Sequence, residues 1–378
     1  MTIISQTVAG FESTASGKLR IVEQTVPRAK APDHYIPSLD GIRALAVTTV
    51  FVAHAGLDRF IPGGFGVTVF FFLSGFLITS LLRREHEQHG FIHLQQFYLR
   101  RIIRIWPPMY LTLGIVVALS LLNAFQLAAP QQESLWFQML HLANYQQIFG
   151  QALSIPGTEV LWSLAVEEHF YLFWPVVFNL LYQRLSPIQF AIFLSGLCCA
   201  FLAWRCVLVF YWHMPEWRTY VATDTRIDSI MFGCILALCY RPSGKVSVKR
   251  SCWIISGVTF GAITMLLAGF LIRNPIFRET FRYSLQGIAL MPLFYLAVNY
   301  SDVGIIRCLN WPAVRFLGVL SYSIYLSHFF ILSLLMRDNR SYPLAMAAAA
   351  AIITIAYAIF VHKVVERPLL ILRRRLRS

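Results

Sequence analysis

The chain has 378 residues, of which 57% are hydrophobic and only 13% are charged, with a formal net charge of +14. Soluble domains carry about 25% charged residues, so this apolar excess excludes a single water-soluble core and indicates a membrane protein. The basic residues are separated by long apolar runs and form no nucleic-acid-binding motif, which argues against a DNA- or RNA-binding protein.

Apolar runs of membrane length dominate the chain after a polar start. Residues 1–35 lack the apolar core of a signal peptide and are interpreted as a flexible cytosolic tail. Residues 36–370 predict an all-α, polytopic bundle of about ten transmembrane helices. Their centres lie near residues 50, 73, 113, 173, 198, 232, 262, 291, 325 and 352. Residues 371–378 form a basic cytosolic tail.

The distribution of Lys and Arg sets the predicted orientation. With both tails inside, the inside segments hold 23 of the 32 basic residues, as the positive-inside rule requires. The long segment between residues 123 and 160 then lies outside and contains no Lys or Arg. The seven cysteines form no CxxC pair, so small buried side chains are predicted rather than disulfides or a metal site.

The first predicted span, "GIRALAVTTVFVAHAG", carries a cation near its start and an imidazole near its end. Arg43 and His54 are eleven residues apart, which corresponds to about 16 Å along a helix. Arg43 is therefore expected at the cytosolic face and His54 in the outer half of the membrane. Ionisable groups inside a membrane are costly and are functional candidates, although a lone His also serves as a helix-packing hydrogen-bond group.

The next two spans add a small-residue site and an arginine pair. In "FFLSGF", Ser74 and Gly75 permit close helix approach or local unwinding. In "FYLRRIIRIWPPMY", Arg101 and Arg104 are three apart, so on a helix they share a face and could clamp phosphates. A positive-inside anchor is the alternative, and the Pro pair at 107–108 is expected to bend the chain.

Carboxylates enter the fourth span in "VLWSLAVEEHFYLFWP", at Glu167 and Glu168. One of them is expected near the depth of His54, where a carboxylate raises the basicity of an imidazole and fixes its tautomer. That pairing suits a general base that takes a proton from a hydroxyl. The alternative is an acidic pair that faces water.

Two later spans carry further polar residues. "TRIDSIMFG" places Arg226 and Asp228 at the outer end of the sixth span, as a local ion pair or as contacts to a polar acceptor. "SYSIYLSHFF" places Tyr322, Tyr325 and His328 in the outer half of the ninth, where they can bridge helices or contact a substrate.

In this order the motifs resemble acyltransferase family 3, membrane proteins that O-acylate bacterial surface polysaccharides, nodulation factors and some antibiotics. The resemblance runs from about residue 35 to residue 370. It rests on "LDGIRALAV" with His54, "FFLSGF", "RRIIRIWPPMY", "WSLAVEEHFY", "RIDSIMFG", "SYSIYLSH" and "VERP" with Glu366. Thr68 departs from the acidic residue that family members often carry there.

The resemblance implies a site and a reaction. His54 is the implied catalytic residue, assisted by Glu167, and the arginines hold cytosolic acyl-CoA, with acetyl-CoA as the expected co-substrate. The implied acyl-CoA-binding residues are Arg43, Arg101 and Arg104, and the implied substrate or structural residues are Ser74, Arg226, Asp228, Tyr325, His328 and Glu366. No metal, tightly bound cofactor or nucleic acid is expected. The acceptor is a carbohydrate hydroxyl, and the location is the bacterial cytoplasmic (inner) membrane.

Other functions remain open at this point. A transporter of a lipid-linked or anionic solute could use the same polar residues as a binding path. An acyltransferase acting on a glycosylated small molecule and an inactive scaffold protein are further alternatives. Within the leading hypothesis, direct transfer is favoured over an acyl group carried covalently on His54.

Overall fold

The structure is a computed structural model that describes residues 7–13, 19–25, 35–122, 129–149, 155–240, 248–336 and 343–370. The chain divides into two compact units, Met1–Pro37 and Ser38–Ser378. The basic tail predicted over residues 371–378 lies outside the described residues.

The first unit contains an antiparallel hairpin of β1 (Thr7–Ser13) and β2 (Leu19–Thr25). Thr7 pairs with Thr25, and Ser13 pairs with Leu19. The flexible tail predicted for this region did not anticipate the hairpin, although β-branched residues occur in both segments and favour extended backbone. The all-α prediction therefore applies to the second unit.

The described residues of the second unit contain helices and no strand. Its first part consists of α1 (Pro37–Val52), a π-helical turn (Ala53–Leu57), α2 (Gly63–His89), α3 (Leu94–Leu121), α4 (Ala129–Met139), α5 (Ala143–Phe149) and α6 (Leu161–Tyr182).

The second part of this unit contains the remaining helices. They are α7 (Pro187–Phe210), α8 (Glu216–Val221), α9 (Thr223–Cys239), α10 (Val248–Leu271), α11 (Pro275–Glu279), α12 (Phe281–Asn299), a 3-10 helix (Gly304–Asn310), α13 (Pro312–Val319), α14 (Ser321–Met336), α15 (Pro343–Val361) and a second π-helical turn (His362–Glu366).

Five described helices are long and apolar enough to cross a membrane, or six if α13 and α14, bent by 69°, form one span. The five are α2, α3, α7, α12 and the helical stretch Pro343–Leu370. A multi-pass membrane protein is therefore indicated, but the predicted count of about ten spans is not confirmed. Several predicted spans are short or polar: α1 has 16 residues, α9 has 17, and α6 contains two adjacent glutamates.

Helices α2 and α9 pack with their backbones almost in contact. A Cβ added at Gly75 would overlap the carbonyl oxygen of Ile230, and one added at Gly233 would overlap that of Phe72. The close helix approach predicted at Gly75 is therefore confirmed. This contact places Ser74 and Arg226 on two helices that cannot separate without losing their packing.

The segment between α3 and α6, predicted from the sequence as a long outside loop, contains the helices α4 and α5. The Tyr110 hydroxyl on α3 donates to the carbonyl of Met139 at 3.0 Å. On the other side, Asn144 of α5 donates to Thr223 of α9 at 2.9 Å. Because Tyr110 lies about 16 Å along α3 from its end at Leu121, the turn between α4 and α5 reaches well down the bundle.

Candidate active site

His54 lies in the π-helical turn that follows α1. Gly56, two residues later, has a φ of 99°, a left-handed conformation that side-chain-bearing residues rarely adopt. Short π-helical segments are frequent at functional sites because they turn side chains out of the regular helical register. The turn leaves the His54 side chain exposed, although Ala53 before it is buried.

The imidazole of His54 is paired with that of His328 on α14. Nδ1 of His54 lies 2.9 Å from Nε2 of His328, and the two rings are stacked with centroids 5.1 Å apart. Phe329 contacts the His54 ring edge-on at 4.9 Å. Two histidines far apart in the chain therefore form one unit, and that unit is fixed by tertiary packing.

The hydrogen bonds of His328 assign the tautomers of both rings. Its Nδ1 lies 2.7 Å from the Tyr325 carbonyl oxygen and 3.2 Å from that of Ile324. Carbonyl oxygens only accept, so Nδ1 of His328 carries the proton and its Nε2 presents a lone pair. Nδ1–H of His54 must then donate to that lone pair. The neutral His54 ring consequently presents an unprotonated Nε2.

Tyr325 holds α14 against the start of α6. Its hydroxyl lies 2.6 Å from the Ser163 hydroxyl and donates to the Val160 carbonyl at 3.1 Å. The Tyr325 side chain therefore anchors the helix, and its carbonyl orients His328. Of the residues proposed from the sequence as support, His328 contacts His54 directly, and Tyr325 acts through His328.

Three arginines form a cationic group on α1 and α3. Nη1 of Arg43 donates to Asp40 at 3.0 Å. The charges of Arg43 and Arg101 both interact with that of Arg104, whose side chain is exposed. Helix α3 continues through the prolines at 107–108, so Arg101 and Arg104 lie on the same helix as the membrane-length stretch that follows them.

Two of these arginines keep open hydrogen-bonding faces. The Arg101 guanidinium lies over the rings of Phe97 and Tyr171, with its central carbon 5.5 and 5.6 Å from the ring centroids. Among the described residues, neither Arg101 nor Arg104 donates a hydrogen bond to the protein. Guanidinium groups in this state match the geometry of phosphate oxygens.

Glu167 belongs to the arginine end of the site. The Tyr171 hydroxyl lies 2.8 Å from Oε2 of Glu167 and 3.0 Å from the Ser74 hydroxyl, and the carboxylate accepts. The charge of Glu167 interacts with those of Arg43 and Arg104. The expected pairing of Glu167 with His54 is not formed among the described residues, because α6 turns this carboxylate toward α2 and the imidazole partner is His328.

Arg226 is fully buried but is not paired with Asp228. Its Nη2 donates to the Thr68 hydroxyl at 3.0 Å, and the Tyr283 ring lies 3.9 Å from its central carbon. Thr68, the residue that departs from the family pattern, is thus its side-chain oxygen partner.

Asp228 accepts from Arg205 at 2.8 Å and from Ser284 at 3.0 Å. The suggested local ion pair is replaced by this one, because residues two apart on a helix point about 200° away from each other.

Glu366 connects the second π-helical turn to α14 through a hydrogen bond. It accepts from the Ser323 hydroxyl at 2.7 Å, and His362 lies 2.7 Å from its other oxygen. This carboxylate is held by two protein partners and acts as a helix clamp. Within the described part of the chain, no group of three or more His, Cys, Asp or Glu is placed to hold a metal ion.

Sequence reasoning missed several partners in this region. Tyr171 follows Glu167 by four residues, a helical spacing that could have indicated the contact. The Arg205–Asp228 ion pair and the stacking of His328 on His54 left no sign in the local sequence. Both contacts depend on which helices become neighbours.

Known proteins resemble this chain over most of its length. A family model described as an acyltransferase domain matches residues 36–363. Peptidoglycan O-acetyltransferase OatA of Listeria monocytogenes is 31% identical over 318 residues, covering 79% of this chain and 50% of the relative. O-acetyltransferase OatA of Staphylococcus aureus is 30% identical over 311 residues, covering 78% and 50%.

The chain thus spans about half the length of these relatives, 50% in each alignment. No solved structure matches it. The family match covers the arginine group, the histidine pair and every helix that contributes to them. On these grounds the chain belongs to the acyltransferase 3 family.

Proposed function

We propose that this protein transfers an acetyl group from cytosolic acetyl-CoA to a hydroxyl of a carbohydrate, within the bacterial inner membrane. The observation that carries the proposal is the His54–His328 pair, whose tautomers leave Nε2 of His54 free to accept a proton. A nucleophilic hydroxyl needs such a base, and general-base catalysis contributes about 10²- to 10⁴-fold in rate.

The donor binds through its phosphates at the arginine group. Open guanidinium faces at Arg101 and Arg104 would receive the phosphate oxygens, with Arg43 beside them. The eleven residues from Arg43 to His54 correspond to about 16 Å, a span that an extended pantetheine arm can cover. The thioester then lies at the imidazole while the nucleotide stays at the cytosolic end.

The reaction is a direct displacement at the thioester carbonyl. The acceptor hydroxyl oxygen forms a bond to the carbonyl carbon as its proton passes to Nε2 of His54. The tetrahedral intermediate collapses, the carbon–sulfur bond breaks, and His54 returns the proton to the CoA thiolate. His328 accepts from Nδ1–H of His54 throughout, so it orients the base and stabilises the imidazolium.

A carbohydrate acceptor is supported by the names of the relatives. One is named a peptidoglycan O-acetyltransferase, which is a statement about that protein. For this chain the substrate class follows as a proposal only, and the hydroxyl position is left to experiment.

The test is acetyl transfer from radiolabelled acetyl-CoA by the purified full chain in lipid nanodiscs, with acceptor-bearing membranes added. His54→Ala is expected to lower kcat by about 10²- to 10⁴-fold. His328→Ala is expected to lower it less and to leave the KM for acetyl-CoA unchanged, because it orients the base without touching the donor.

His89→Ala serves as the matched control, since that histidine is exposed and, among the described residues, its hydrogen bond goes to the Glu85 carbonyl of its own helix. Full activity of His54→Ala would remove His54 from the chemistry. If the wild-type protein moves a solute across the bilayer and consumes no acetyl-CoA, the transporter hypothesis replaces this one.

A further inference from the structure

Four buried side-chain atoms without hydrogen-bond partners lie together beside α3. They are Nε1 of Trp106, Nδ1 and Nε2 of His141, and Oε1 of Glu168. His141 is only 7% exposed, yet neither ring nitrogen has a partner. Buried polar atoms are almost always hydrogen-bonded, so such a group indicates a place for a polar ligand.

These side chains come from three separate elements and face one another. The His141 ring, from the turn between α4 and α5, lies 5.7 Å from the Trp106 ring and 6.5 Å from the Tyr110 ring. The Glu168 carboxyl on α6 interacts with the Trp106 indole, but Nε1 of Trp106 and Oε1 of Glu168 complete no hydrogen bond. Two aromatic rings therefore lie against the His141 ring, and the Glu168 carboxyl lies beside one of them.

The backbone at His141 is strained in a way that places the ring there. Its φ is 57°, a conformation that non-glycine residues rarely adopt and that clusters at functional sites. The turn is held by the Tyr110 bond to Met139 and by a bond from His141 N to the Gln138 carbonyl at 3.1 Å. The unfavourable backbone conformation at His141 therefore holds in place an imidazole whose two nitrogens have no hydrogen-bond partner.

The donors and acceptors match hydroxyl groups. Burial, and then the nearby His169, lower the pKa of His141 to about 4, so the ring is neutral near pH 7. A neutral imidazole offers one donor and one acceptor, the indole adds a donor, and the carboxyl oxygen adds an acceptor. Two neighbouring hydroxyls need two donors and two acceptors, which is the number that this cluster offers.

The group lies beside the arginine group, since the charge of Glu168 interacts with that of Arg101, but its Trp106 side chain leaves α3 in another direction than Arg104. Trp106 follows Arg104 by two residues on α3, so the two side chains leave the helix about 200° apart. The turn that carries His141 belongs to the segment between α3 and α6 that was predicted outside.

We propose that Trp106, His141 and Glu168 form the acceptor subsite, which binds a hydroxyl-bearing sugar ring stacked on the aromatic side chains. The proposal rests on the proposed acetyl transfer and names where its acceptor binds. Sugar rings present apolar faces to aromatic surfaces and hydroxyl edges to polar groups, and this cluster offers both.

The test measures acetyl transfer at increasing amounts of acceptor-bearing membrane, and separately at increasing acetyl-CoA. His141→Ala and Trp106→Phe are each expected to raise the acceptor concentration for half-maximal rate by about tenfold, the effect of one or two lost hydrogen bonds. The KM for acetyl-CoA is expected to change less than twofold. His141→Asn, which keeps a donor and an acceptor, is expected to recover part of the loss.

His213→Ala is the matched control, because His213 also has a positive φ, 48°, but is exposed. It is expected to behave as wild type. An unchanged acceptor dependence in His141→Ala and Trp106→Phe would overturn the subsite and leave ordered water as the occupant. A rise in the KM for acetyl-CoA instead would assign the cluster to the donor. An inactive wild-type protein would refute the proposed function itself.

Discussion

Two arginines, Arg205 on α7 and Arg101 on α3, show how differently this bundle holds a charge. Arg205 is 0% exposed, and its Nε, Nη1 and Nη2 all donate, with Asp228 2.8 Å from Nη2. Arg101 donates no hydrogen bond within the described residues, and the rings of Phe97 and Tyr171 flank it. A guanidinium whose N–H groups all donate to the protein stabilises the fold. A guanidinium whose N–H groups have no protein acceptor can bind a ligand.

The largest effect is expected where Arg205 is removed. Arg205→Met leaves the buried Asp228 without its cation, so the free energy of unfolding is expected to fall by about 3–5 kcal/mol. Thermal unfolding of the detergent-solubilised protein measures it. Arg205→Met combined with Asp228→Leu is expected to recover most of the loss, because no unpaired charge then remains. A single variant as stable as wild type would contradict the structural role of Arg205.

An unpartnered group is expected to make stability depend on pH. The pKa of His141 is lowered to about 4, chiefly by burial, so the unfolded chain binds its proton more readily. Stability is therefore full above the unfolded pKa of about 6.5 and falls as the pH drops toward 4, by about 3 kcal/mol in total.

Melting temperatures from pH 4 to pH 7 test this pH dependence. His141→Asn, which cannot titrate, is expected to flatten the acid limb of the curve. His213→Ala, at an exposed turn, is expected to leave it as it is. If the melting temperature of His141→Asn fell between pH 7 and pH 4 as much as that of the wild type, His141 would not be the source of the pH dependence.

Removing an open arginine is expected to affect binding and leave the fold intact. Arg101→Ala and Arg104→Ala should each raise the KM for acetyl-CoA by about 10- to 100-fold, the effect of lost charged hydrogen bonds. Melting temperatures should stay at the wild-type value, because neither guanidinium donates to the protein among the described residues. Arg278→Ala is the control, since its side chain is 43% exposed and lies 3.6 Å from Glu216.

The smallest loss of stability is expected at Arg226, which among the described residues has fewer hydrogen bonds than Arg205 and more than Arg101. Arg226 is buried among aromatic rings, and the Thr68 hydroxyl is its side-chain oxygen partner at 3.0 Å. Thr68→Val is expected to lower the free energy of unfolding by about 1 kcal/mol, the contribution of one hydrogen bond. Denaturant unfolding gives the value. Thr79→Val, at a buried hydroxyl that accepts from the Trp174 indole, provides a comparison on the same helix. If Thr68→Val lowered the free energy of unfolding by several times this amount, the aromatic rings around Arg226 would not be stabilising its charge.

The sequence predicted the relative positions of candidate residues correctly where they share one helix. Arg43 and His54 lie on α1 and the turn directly after it, and Arg101 and Arg104 lie on α3, as their spacing indicated. The partner of His54 was not predicted. Glu167 was the expected neighbour from its depth, but depth does not specify rotation about the helix axis, and α6 turns Glu167 toward Tyr171.

The sequence by itself determined that this chain is a helical membrane protein whose first predicted span carries a cation near its start and an imidazole near its end. Composition and helical spacing suffice for that, because both act within about 20 residues of one segment. Tertiary structure alone decided the number of membrane-length helices, the His54–His328 pair and the cluster around His141. Those features depend on which helix faces meet, and packing between distant segments fixes the faces.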